Sequence, residues 1–127
     1  MKKQTSKKST VLSILLVGAF MFFTSNTFAQ ASQTLKGEIL DVSCYMTHEA
    51  TGKGHKGCAQ GCLNKGLPAG ILNKADNQIY LLVEDHKKSD VYKEAIKHAA
   101  EIVEITGKVI KRNGMQSIVV ESVKVVE

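Results

Sequence analysis

The stretch SDVYKEAIKHAA, Ser89 to Ala100, places Val91, Tyr92, Ala95, Ile96, Ala99 and Ala100 at helical spacing, with Lys93, Glu94, Lys97 and His98 on the opposite face. Ser89 or Asp90 supplies a capping side chain at its start. Around this helix the regular segments read as strands. Upstream, Leu35 to Val42 has the branched and aliphatic content of a first strand, within which Gly37 signals a bulge or a close backbone approach. Ile71-Leu72 and Ile79 to Val83 flank the polar turn Asn73 to Asn77 and predict a hairpin. Downstream, Ile102 to Ile110 and Ile118 to Val126 are joined through Asn113-Gly114, a dipeptide suited to the positive φ angles of a tight hairpin.

The order is therefore strand, insertion, strand, strand, helix, strand, strand. A helix between the third and fourth of five strands is the connectivity of an OB-fold, so the expectation is a mainly β chain with one helix, an OB-like five-stranded Greek-key barrel. An open α+β sheet with one packed helix satisfies the same pattern. Residues 45–70 become an insertion between strands one and two. Six glycines recur there, and no regular amphipathic period survives.

Ahead of the first strand, Lys2, Lys3, Lys7 and Lys8 precede an apolar run from Val11 to Phe23. That run is well short of the roughly 20 residues that span a bilayer, and Ala29 and Ala31 offer small residues for cleavage, so residues 1–31 read as a secretory signal peptide. The mature start falls at Gln30 or Ser32. The expected product is exported, periplasmic or extracellular, with no membrane attachment after cleavage. The formal net charge of +5 belongs mostly to this leader. Without its four lysines, thirteen basic residues face twelve acidic ones, and the inference from a basic chain to nucleic acid loses its support.

Residues 32–127 suffice for one domain with a modest core, to which a metal or a disulfide would add useful stability. All three cysteines lie in or beside the insertion: Cys44 ends the first strand region, and Cys58 and Cys62 follow His55 in HKGCAQGC. At about 100° per residue, positions 55, 58 and 62 of a helix share one face. Cys58 and Cys62 can then hold an ion together, with His55 from the preceding turn and Cys44 closing a tetrahedron. Such a Cys3His shell suits structural zinc. Copper(I) competes because it favours thiolates, and Met46 is a further soft donor, although packing is the simpler role for that side chain. A c-type haem is disfavoured because three residues separate Cys58 from Cys62 and Leu63 follows, while an ordinary iron–sulfur cluster lacks a fourth cysteine.

Two other readings stay open. An exported chain meets an oxidising compartment in which Cys44 can pair with Cys58 or Cys62, giving a disulfide-stabilised domain for an unidentified protein or small-molecule partner. Alternatively, Cys58 or Cys62 is a nucleophile with His55 as its base, although no orienting acid or oxyanion motif is visible. The remaining candidates suit plainer roles: His48, His86 and His98 as surface residues, Glu38 and Asp41 as a solvated strand face, and Lys53, Lys56 and Lys65 as solvated charge. Gly66 and Pro68 end the insertion and direct it into the second strand.

Asp-Val-Ser-Cys-Tyr-Met at 41–46, Gly-His-Lys-Gly-Cys-Ala-Gln-Gly-Cys at 54–62, Gly-Leu-Pro-Ala-Gly-Ile-Leu at 66–72 and Thr106-Gly107-Lys108-Val109 together resemble a group of small exported bacterial OB-like proteins. The resemblance covers nearly the whole mature chain and implies that Cys44, His55, Cys58 and Cys62 belong together. It implies no particular metal or substrate.

Overall fold

The computed structural model describes residues 30–126. The expected leader falls almost wholly on residues outside that range. Among the described residues, no helix is long and apolar enough to cross a membrane.

Five strands close into a barrel in the order β1-β2-β3-β5-β4: β1 (Gln33–Asp41), β2 (Ala69–Asn73), β3 (Gln78–Val83), β4 (Ile102–Arg112) and β5 (Met115–Val125). β1 pairs antiparallel with both β2 and β4, β4 with β5, and β2 with β3, while β3 and β5 run parallel from Leu81↔Ser117 to Val83↔Val119. This is the expected OB-like connectivity, and closure excludes the open α+β sheet.

The inward positions follow the period of two. Leu35 and Ile39 on β1, Ile71 on β2, Val103, Ile105 and Val109 on β4, and Ile118 and Val120 on β5 form one buried cluster. Gly37 is the predicted close approach. A Cβ built there would stand 1.9 Å from the Leu72 carbonyl oxygen, so only glycine lets β1 and β2 meet. The Asn113-Gly114 hairpin also forms as expected, with φ of 51° and 79°. At the other hairpin, the Asp76 carboxylate accepts from Asn73 Nδ2 at 2.9 Å, the Gln78 N–H at 3.0 Å and the Tyr80 hydroxyl at 2.7 Å.

The expectation of one helix needs correction, because three α-helices form among the described residues: α1 (Val42–His48), α2 (Lys56–Asn64) and α3 (Ser89–Ile96), with a 3-10 turn at Lys53–His55. α1 starts because Asp41, the last residue of β1, turns its side chain onto the free N–H groups of Ser43 and Cys44. α2 buries Ala59 and Leu63, one turn apart, against the barrel. α3 joins β3 to β4 where expected, with two differences. Its N-cap is Lys88, without a side-chain capping bond, and it ends at Ile96 rather than Ala100. Backbone pairing stops it early: the Ala100 N–H donates to the Ile39 carbonyl at 2.8 Å, and the Ile39 N–H to the Glu101 carbonyl at 3.1 Å. Ala99 and Ala100 remain buried, as edge pairing rather than as helix.

Candidate metal centre

The insertion leaves and re-enters the barrel at one place, since Asp41 and Ala69 are paired across β1 and β2. The Val42 N–H donates to the Pro68 carbonyl at 3.0 Å and closes the base of the excursion. The groups described next lie at that base, on the two helices above it and in the 3-10 turn between them.

Cys44 sits in the first turn of α1, its own N–H turned toward Asp41. His55 ends the 3-10 turn, which is held by the His55 N–H donating to the Gly52 carbonyl at 3.0 Å. Gly52 is itself tied down by the Glu38 carboxylate, which accepts its N–H at 2.6 Å. Cys58 and Cys62 follow on α2, whose position is fixed from three sides. Ala59 and Leu63 pack into the core, Gln60 Nε2 donates to the Ile96 carbonyl at 3.0 Å, and Lys56 pairs with Glu101. Gly66, with φ of 86°, ends α2 in a Schellman turn: the Gly66 N–H donates to the Leu63 carbonyl at 3.0 Å and the Leu67 N–H to the Cys62 carbonyl at 3.2 Å. The role expected of Gly66 is thus met, and the turn anchors the backbone of Cys62.

These elements bring the four sequence candidates together. Ligand atoms of Cys44, His55 and Cys58 all lie within 4.8 Å of one another, and so do those of Asp41, Cys44 and Cys62. Cys44 belongs to both sets, while Cys58 and Cys62 fall in different ones. The cluster is compatible with a metal ion. His55 Nε2 adds a chemical indication of its own, being shut off from solvent with no hydrogen-bond partner. A buried polar atom left so costs about 1–3 kcal/mol, and a cation is one group that would satisfy it.

Asp41 is the residue that the sequence reading misplaced. Far from a solvated face, it is only 1% exposed. The alternation of β1 ends at Ile39, because Leu40 and Asp41 are both covered where the strand passes into α1. Burial works to raise the Asp41 pKa, but hydrogen bonds from the Cys44 and Cys62 thiols and from the backbone N–H groups of Ser43 and Cys44 outweigh it and hold the carboxyl below its ordinary range. A capping signal was present in the sequence, an Asp directly before the segment that becomes α1.

The same contact acts in the opposite sense on the thiols. Hydrogen bonding to Asp41, then burial, pushes Cys44 up to about 12 and raises Cys62 as well. Without a metal these two sulfurs are held as thiols at neutral pH, the reverse of the lowered pKa that activates a nucleophile. All three cysteines are free, and the Cys44 sulfur lies within 4.8 Å of each of the other two.

Outside the cluster, His48 and His86 are exposed as expected. His98 is more engaged than a plain surface residue, its Nδ1 lying 2.8 Å from Glu101 Oε2, the carboxylate that also holds Lys56. Met46 is 71% exposed and lines a surface groove with Tyr45, Ile79, Leu81 and Met115, so it does not pack in the core. Tyr45 is half-buried on the same groove.

No protein-family model matches the chain, and no curated protein matches it.

Proposed function

We propose that this chain is an exported metal-binding module in which Cys44, His55, Cys58 and Cys62 are the donors and zinc is the ion, ahead of copper(I). The observation that carries the reading is the convergence of three sulfurs and a partnerless, buried imidazole nitrogen from three separate backbone elements onto the base of one insertion. Thiolate and imidazole donors match zinc. The carboxylate of Asp41 at the same cluster weighs against copper(I), which prefers soft ligands throughout. Export follows from the leader pattern in residues 1–31.

The chemistry implied is coupled to protonation. Zinc binds thiolates, so ligation must displace the protons of the Cys44 and Cys62 thiols, whose pKa values are raised, and affinity falls as pH falls. The ion would join α1, the 3-10 turn and α2 and so stabilise the fold, as structural zinc does in small domains.

Elemental analysis of the protein purified from an exporting host tests the proposal, with His55→Ala and Cys44→Ser alongside. Near-stoichiometric zinc or copper in the parent and a marked loss in both variants is the expected result. A metal-free parent whose cysteines resist alkylation until reduced would instead establish the disulfide-stabilised domain.

A further inference from the structure

The geometry points to a paired metal centre rather than a single ion, with Cys44 as a bridging thiolate, His55 and Cys58 completing one site, and Asp41 and Cys62 completing the other. This rests on the metal-binding reading above and refines its stoichiometry and ligand set.

Three observations carry it. The donors divide into two three-ligand sets that share only Cys44, and Cys58 and Cys62, one helical turn apart, fall on opposite sides of that division. A single tetrahedral ion would have to draw Cys62 across to the His55 side, whereas two ions take the donors where they stand. The second observation is Asp41 itself. A carboxylate only 1% exposed, lying against two sulfurs, has no cationic side chain paired with it among the described residues. Of its backbone donors, the Ser43 N–H reaches Oδ1 at 3.0 Å, whereas the Cys44 N–H reaches Oδ2 only at a long 3.4 Å, so Oδ2 keeps coordinating capacity.

The third is charge. Three thiolates and one carboxylate carry four negative charges, and His55 binds as a neutral ligand. One divalent ion leaves the cluster two charges negative around a buried carboxylate. Two divalent ions bring it to neutrality, which the buried Asp41 carboxylate favours. Two copper(I) ions would not, so the paired centre selects divalent cations. Each ion keeps a place for water or an added ligand beyond its three protein donors.

Zinc titration followed by native mass spectrometry tests the inference on the parent chain, Asp41→Asn and Cys62→Ser. Asparagine retains the helix cap, so Asp41→Asn removes the donor charge without the turn. The parent is expected to bind two zinc ions and each variant one. The zinc X-ray absorption spectrum of the loaded parent should show a zinc–zinc path at roughly 3.5–4 Å. A parent that saturates at one ion, or lacks that path, overturns the paired centre and leaves metal binding standing. Variants that still take two ions remove Asp41 and Cys62 as ligands. No bound zinc in the parent would overturn metal binding altogether.

Discussion

The Glu38 side chain reaches across fourteen residues of sequence to accept the Gly52 N–H at 2.6 Å, so a barrel strand directly fixes the backbone that delivers His55. Gly52 precedes the 3-10 turn, and its carbonyl accepts from the His55 N–H. Groups that orient metal ligands in this way typically account for 10–100-fold in affinity when removed. Glu38→Ala is therefore expected to weaken zinc binding by about 10-fold while the barrel still folds. A competition titration against a chromogenic chelator measures it, and an unchanged affinity would show that His55 is placed without Glu38.

Gly37 and Gly54 should respond oppositely to alanine. The added Cβ at Gly37 meets the Leu72 carbonyl at 1.9 Å in the barrel wall, whereas at Gly54 it meets nothing within 4 Å. Forcing β1 from β2 should cost about 3 kcal/mol or more, the upper range for overpacking. Gly54→Ala should be neutral or stabilising by about 0.5 kcal/mol through reduced freedom of the unfolded chain. Denaturant midpoints compared at constant slope decide both.

Acid should release the clamp between α2 and the start of β4. Lys56, then His98, hold the Glu101 carboxyl below its ordinary range, against a smaller opposing effect of burial. A depressed carboxylate pKa contributes stability in full above the unfolded value of about 4.3, and that contribution is lost as pH falls through the folded value. Glu101→Gln should accordingly be less stable than the parent at neutral pH, with the difference shrinking below about pH 4. Urea unfolding across that range measures it, and a gap independent of pH would rule out this origin.

Tyr80→Phe removes the hydroxyl that donates to Asp76 at 2.7 Å in the β2–β3 turn. Tyr80 is only 6% exposed, although Asp76 stands in solvent, which weakens the bond. A lowered thermal midpoint with unchanged zinc loading is expected, because the turn lies outside the metal cluster. Calorimetry and metal analysis on one sample check both halves, and a fall in zinc content would contradict the separation.

Much of the barrel was legible because its strands obey simple periods and its tightest hairpin carries Asn113-Gly114. The helices of the insertion were not. α1 has no buried residue, and α2 contains two glycines and buries only two side chains, so neither shows an amphipathic stripe. What makes them helical is a cap from Asp41, a Schellman turn at Gly66 and tertiary ties through Gln60 and Lys56. The end of α3 was overrun for a related reason. Ala99 and Ala100 keep the helical spacing, but the edge of β1 competes for their backbone. Cys44, His55, Cys58 and Cys62 were found by residue type and spacing. Asp41 was missed because strand alternation says nothing about a residue where a strand becomes a helix.

The pairing of Asp41 with Ala69, sealed by Val42 and Pro68, makes residues 42–68 a detour that departs from and rejoins one rung of the ladder. The detour is tied to the barrel at that rung and again through Ala59, Leu63, Gln60 and Lys56, so it is a module that another OB-like barrel offering the same contacts could accept. Grafting it there would carry Cys44, His55, Cys58 and Cys62 as a set. An aspartate supplied by the host at the end of its first strand would then be the single barrel residue needed to complete the donor group.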